Sequence, residues 1–261
     1  MKGRRETFVR IFTRLAVWVV VTGALAAGTA SAVKPPETRE TLAKGKAIFE
    51  RSCVWCHGTG GKGDGPAAFF IASYSAPRPR DFTAGEYKFR STPSGELPTD
   101  EDLFRTITNG VPGYMPPFAG LEEKERRQAI AYIKTFFSGF REETPTSIPI
   151  GFPAVPSSPE SVEKGRKLYV LNECHTCHGE NGAGDETAAR AGELKDSLGL
   201  PIAPTDLTNP ASLKNGATAR DLFRSVMTGF NGTPMPSYAA QFAGREEEAW
   251  HLVNYLLSLS Q

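Results

Sequence analysis

The sequence predicts an all-α chain in which one small domain is built twice. The first sign is internal repetition. "KGKAIFERSC" from Lys44 is answered by "KGRKLYVLNEC" from Lys164, and "RDFTAG" from Arg80 by "TDLTNP" from Thr205. "DEDLFRTITNG", ending at Gly110, is answered by "TARDLFRSVMTG", ending at Gly229, and "MPPF" from Met115 by "MPSY" from Met235. The second sign is periodicity: no stretch shows the two-residue alternation of a strand, while Leu103, Phe104 and Ile107, like Leu222, Phe223 and Val226, recur at helical spacing. The third is the five-proline stretch "EETPTSIPIGFPAVPSSP" between the copies, which favours extended backbone. It reads as a linker over 142–158, separating domains at 37–141 and 159–261.

Ahead of the repeat, residues 1–32 have the layout of an export signal. Lys2, Arg4, Arg5, Arg10 and Arg14 form a basic front, Leu15 to Ala27 an apolar run short for a bilayer span, and Ala30-Ser31-Ala32 a small-residue cleavage site. Cleavage before Val33 is expected, the alternative being an uncleaved segment that anchors the protein to the membrane. Without those 32 residues the formal charge falls from +1 to −3. There is no basic surplus or Lys/Arg run, so nucleic acid is not an expected partner.

Three helices are expected in each copy. The first covers about Glu40 to Arg51 and Glu160 to Val170, the latter announced by Ser158 as N-cap and Pro159 at the first helical position. The middle helix opens on capping-box spacings, Thr99 to Asp102 and Thr218 to Asp221, and closes at Gly110 and Gly229. The last spans about Leu121 to Phe137 and Arg245 to Leu259.

All four cysteines fall in "CVWCH" and "CHTCH", leaving none for structural disulfides. Cys-x-x-Cys-His is the attachment sequence of c-type haem. Helical spacing i, i+3, i+4 puts Cys53, Cys56 and His57 on one face, and likewise Cys174, Cys177 and His178. The thiols then bond the porphyrin and the histidine binds the iron. A redox dithiol lacks its βαβ context here, and a zinc site lacks further ligands in the first copy. Two covalently bound haem c groups are therefore expected.

For the opposite side of each iron the candidates are Met115 and Met235, which lie 58 and 57 residues after their histidines, each followed by proline. A thioether opposite histidine raises the potential and leaves no open coordination position. Met227 continues a helical stripe and reads as core. His175 lies about 100° round the helix from Cys174 and should face away from the haem, and His251 reads as surface or packing.

With Cys-x-x-Cys-His, a Met-Pro loop and three helices in this order, the chain resembles tandem class I c-type cytochromes over nearly everything after the leader. The resemblance implies that Gly45 and Gly165 let the first helix cross the last, with Phe49 meeting Tyr132 and Tyr169 meeting Tyr255. It also implies that each haem histidine donates to a carbonyl of a following proline-containing loop, at Pro79 and Pro204. The first copy departs from the family in its methionine loop: "GYM" at Gly113 is one residue shorter than "GTPM" at Gly232, so Tyr114 is expected to replace a loop hydrogen bond. The long stretch from Pro66 to Pro98 is expected to cover the haem or dock a partner.

The expected function is single-electron transfer between redox proteins by an exported, periplasmic dihaem cytochrome, with no catalytic residues of its own. Alternatives are a cytochrome subunit of a larger complex, beside a membrane respiratory oxidase or a molybdenum oxidoreductase, and a dihaem enzyme such as a peroxidase or a thiosulfate-oxidising protein. The last would need a further cysteine that the chain does not possess. Residues 37–141 carry 15 basic and 13 acidic side chains, and residues 159–261 carry 9 and 13. The halves therefore differ, +2 against −4, which suits different partners at opposite ends.

Overall fold

A computed structural model describes residues 37–71, 77–150, 155–185 and 193–260. The leader, and with it the cleavage or anchoring expectation, lies outside the described residues. In the first half α1 is Arg39–Ser52, α2 Val54–His57, α3 Pro66–Ile71, α4 Asp100–Asn109, α5 Glu123–Ile133 with a 3-10 extension Lys134–Phe136, and α6 Gly139–Glu142. In the second half α7 is Pro159–Leu171, α8 His175–His178, α9 Ala219–Thr228 and α10 Glu246–Ser258. Among the described residues the only extended pairings are two isolated bridges, Val111 with Met115 and Lys195 with Pro201. The chain is all-α.

The helix starts reflect the local chemistry. Ser158 caps α7 by accepting from the Ser161 amide at 3.1 Å, with Pro159 at the first position. Both capping boxes form: Thr99 accepts from the Asp102 amide while Asp102 accepts from the Thr99 amide, and Thr218 and Asp221 repeat the exchange. Two further caps have weaker sequence signals, Thr38 on α1 and a Glu122–Glu125 box on α5. α5 stops short of the end expected for it, because beyond Ile133 the backbone tightens into the 3-10 turn.

α1 crosses α5, and α7 crosses α10, at a glycine. A Cβ on Gly45 would strike the Gln128 carbonyl and Tyr132, and one on Gly165 would strike the His251 carbonyl and Tyr255. The close approach brings Phe49 to 5.5 Å from Tyr132 and Tyr169 to 5.2 Å from Tyr255, ring centre to ring centre. The first core gathers Phe49, Phe82, Leu97, Leu103 and Ile133, and the second Tyr169, Phe223, Trp250, Leu252 and Val253. Met227 belongs to the second core, and His251 is buried on α10. Met227 is buried, and His251 Nδ1 pairs with Ser161 Oγ at 2.8 Å.

Residues from Lys34 onward form one compact unit. The proline-rich linker is tied into it: the Ile148 amide donates to the Ser91 carbonyl at 2.8 Å, Arg220 donates to the Ile150 carbonyl at 2.9 Å, and Ile148, Ile150 and Val155 pack on the second core. Between the halves, Arg105 on α4 donates to Asn215 at 3.3 Å. The stretch from Pro66 to Pro98 supplies Phe82, Tyr87 and Leu97 to the first core, and its later part, from Glu86, lies against the second half.

Replacing Gly165 by alanine forces a methyl group into the α7–α10 crossing, an overpacking cost of about 2 kcal/mol. Thermal unfolding of the haem-loaded protein, followed by helical circular dichroism, is expected to show a midpoint several degrees lower.

Candidate functional site

Each Cys-x-x-Cys-His motif starts where the first helix ends. Cys53 is the C-cap of α1, its amide bonded to the Phe49 carbonyl, and α2 then carries Cys56 and His57 round a new turn. Cys174 likewise precedes α8, after Glu173 has turned the chain through a positive φ of 57°. The four thiols are free rather than bridged. Burial pushes Cys53 and Cys174 up to about 11, which keeps both protonated at neutral pH.

The chain then folds back so that the histidine is held from behind. The Gly63 amide donates to the His57 carbonyl at 2.9 Å, and Gly184 to His178 at 2.8 Å. The Gly61 and Gly182 carbonyls accept from the Phe82 and Leu207 amides, each at 2.7 Å, pinning the next loop beside the ring. His57 Nδ1 thereby donates to the Arg80 carbonyl and His178 Nδ1 to the Thr205 carbonyl, both at 3.0 Å.

Both acceptors lie one residue beyond the expected prolines. The Pro79 and Pro204 carbonyls pack instead against Gly63 and Gly184, where a Cβ would collide with them, and this aims the following carbonyl at the imidazole. Because a carbonyl only accepts, Nδ1 carries the proton and Nε2 keeps its lone pair. Burial lowers both histidine pKa values, which preserves the neutral ligating form.

The two motifs share one cavity of about 530 Å³, lined from the first half by Cys53, Cys56, His57 and Met115, and from the second by Cys174, Cys177, His178 and Met235. His175, His251 and Met227 do not line it. The Met115 loop closes through a backbone exchange, Val111 amide to Met115 carbonyl at 2.8 Å and Met115 amide to Val111 carbonyl at 2.9 Å. In the Met235 loop Thr233 Oγ1 accepts from the Met235 amide at 3.2 Å. The shorter first loop therefore replaces the threonine hydroxyl with the Val111 carbonyl. The Tyr114 ring packs under the Lys214 ammonium, 5.4 Å away, instead of taking that role.

The rest of the cavity suits a large apolar dianion. Its aliphatic and aromatic lining includes Ile48, Phe82, Leu103, Leu222 and Leu252, while Arg78, Arg80, Lys88 and Lys214 bring positive charge from both halves. Burial, with Arg80 and Lys214 close by, pushes Lys88 down to about 8, so the cluster favours an anion beside it. The Tyr87 hydroxyl is buried with no hydrogen-bond partner among the described residues, and burial raises its pKa, which keeps it a donor. A porphyrin with two propionates satisfies each of these features. Zinc does not: among the described residues no three His, Cys, Asp or Glu side chains are grouped to hold a metal ion.

Residues 40–133 match the family model described as cytochrome C oxidase, cbb3-type, subunit III, and residues 162–260 match the cytochrome c model. Among solved structures, a chain from the reducing HAO-like protein complex of Kuenenia stuttgartiensis is similar, at 39% identity and a TM-score of 0.76 over 84% of this chain and 96% of that one. The comparison with curated proteins gives no match.

Replacing Cys174 and Cys177 together by serine is expected to halve the covalently bound haem, from two per chain to one. The check is the alkaline pyridine spectrum of acid-acetone-extracted protein against protein concentration.

Proposed function

Because the chain belongs to the c-type cytochromes and carries two covalently bound haem c groups, on Cys53 and Cys56 and on Cys174 and Cys177, we propose that it is an exported, periplasmic carrier of single electrons. His57 with Met115 and His178 with Met235 would hold the two irons. Bound haem supplies a one-electron iron couple. The chain holds each imidazole neutral and oriented through Arg80 and Thr205, tethers each thioether in a short loop, and surrounds both sites with apolar side chains. Methionine paired with histidine on iron would favour the reduced state and would leave no position for a substrate.

The observation that carries this reading is the shared cavity. Two sites that open into one another would let an electron enter at one and leave at the other. A peroxidase would instead need one iron with an exchangeable ligand.

The similar chain belongs to a reducing HAO-like protein complex and is covered almost end to end, which favours a subunit or close partner of a redox assembly. Nothing in the comparisons points to a molybdenum enzyme. For the partner we assign the surface around the first attachment motif. Trp55, 64% exposed between the two haem cysteines, and Phe70, 83% exposed on the adjacent α3, are large apolar groups left in solvent. Among the described residues no helix is long and apolar enough to cross a membrane.

An optically monitored redox titration is expected to resolve two one-electron steps, and hydrogen peroxide should not be turned over. Met235→His should lower the potential of one haem only, by on the order of a tenth of the ~0.8 V range that axial ligands command. A high-spin ferric haem in the untreated protein, with peroxide turnover, would overturn the carrier reading.

Trp55→Ser with Phe70→Ser is expected to weaken association with the co-purifying redox partner at least tenfold while leaving both optical spectra unchanged. Surface plasmon resonance against the isolated partner measures it.

A further inference from the structure

Arg90 belongs to the first half, is 0% exposed, and makes its strongest contact in the second. Its Nη2 donates to the Thr228 carbonyl at 2.7 Å, while Nε donates to the Pro93 carbonyl at 3.1 Å and Nη1 lies 3.4 Å from the Tyr87 and Lys88 carbonyls. These hydrogen-bond acceptors are all backbone carbonyls, so the guanidinium fixes chain path, while Asp102, Glu96 and Glu86 lie near enough to favour its charge. Thr228 is the last residue of α9, where the final carbonyls have no partner inside the helix and the helix dipole favours a cation.

Thr228 leads directly into the Met235 loop. Gly229 turns the chain, and the Phe230 amide donates to the Met235 carbonyl at 3.1 Å. The same stretch of the first half touches this loop at three more places. The Phe89 ring meets Phe230 edge to face at 5.7 Å, and Ser94 Oγ and the Gly95 amide donate to Asn231 Oδ1 at 3.2 and 3.3 Å. Glu86 sits against Gly232. The first half thus braces the methionine loop of the second from its root to its tip. In the other direction the bracing is lighter: Lys214 lies over Tyr114, which remains 39% exposed.

We propose that Arg90 is a positioning residue for Met235, so that the first domain sets the axial ligation of the second domain's haem. This rests on the reading of Met235 as an axial ligand. A thioether is a weak ligand to ferric iron, and it stays bound only if its loop is held within bonding distance. A guanidinium buried against the helix end, with several acceptors fixed at once, supplies that restraint. The asymmetry of the contacts makes the effect specific to one haem.

The test uses the full haem-loaded chain carrying Met115→His, in which the near-infrared methionine-to-iron charge-transfer band can come only from the second haem. Adding Arg90→Gln is expected to remove at least half of that band and to lower the second haem's potential, with the first unchanged. Arg90→Lys, which keeps one donor for Thr228, should restore most of both. Asn231→Ala loosens the loop from the surface without disturbing the buried guanidinium, and should reduce the same band by a smaller fraction. It serves as the deciding variant if Arg90→Gln does not fold. A band that is present and unchanged in the folded Arg90 variant, or in Asn231→Ala where only that variant folds, overturns the proposal even if the protein melts at a lower temperature. No band in the Met115→His parent would instead show that Met235 is not a ligand, which removes the premise.

Discussion

The hydrogen bond from each imidazole Nδ1 to a loop carbonyl is the constraint on which the rest of the site depends. It settles which nitrogen keeps a lone pair, and it requires a backbone carbonyl to be brought within 3.0 Å of a ring 23 residues away in the first half and 27 in the second. The glycine turns after each motif meet that requirement. They return the chain to the histidine's own carbonyl and dock the next loop through a single backbone bond, to Phe82 in one half and Leu207 in the other. Side chains at Gly63 or Gly184 would push Pro79 or Pro204 away and lose the aim of the acceptor. That both halves reach one geometry with different residues at the acceptor, arginine and threonine, shows that the backbone path is what the duplication preserves.

The same loops join the halves. After leaving the histidine, the first-half chain runs through Tyr87 and Lys88 along the cavity wall and then through Arg90 to Gly95 across the second half's methionine loop. The cavity wall and the domain seam are consecutive parts of one segment. Two haem sites that open into one cavity therefore come with a continuous chain segment from the loop that holds His57 to the Met235 loop. The basic side chains gathered there, Arg80 and Lys88 with Lys214, come from both domains and would favour an anionic group beside them. Trp55 and Phe70 at the first attachment motif are the most exposed aromatic side chains among the described residues, and neither belongs to the Arg90–Gly95 segment that meets the second half.

Much of this was legible in the sequence because the signals were local or repeated. Cys-x-x-Cys-His, the capping boxes at Thr99 and Thr218, and the glycines at the helix crossings each depend on spacings of a few residues or on a pattern that occurs twice. What could not be read depends on register across a loop. The histidine acceptor was displaced by one residue because proline marks the loop but glycine packing decides which carbonyl turns inward. The role expected of Tyr114 went to the Val111 backbone, since a loop shortened by one residue can close on itself. Arg90 gave no signal at all: its place in the second copy holds no counterpart arginine, and in sequence it is one of several basic residues in a long insertion. Only the fold reveals that it is fully buried and that its partner is 138 residues away.

Low-temperature electron paramagnetic resonance of the fully ferric protein tests most directly whether two histidine–methionine haems lie together in a single cavity. Two low-spin signals broadened by mutual magnetic coupling, sharpening to one signal when a single haem is removed, are the predicted result. A spectrum that is the simple sum of two independent centres would contradict the shared cavity, and a high-spin component would contradict the paired axial ligands.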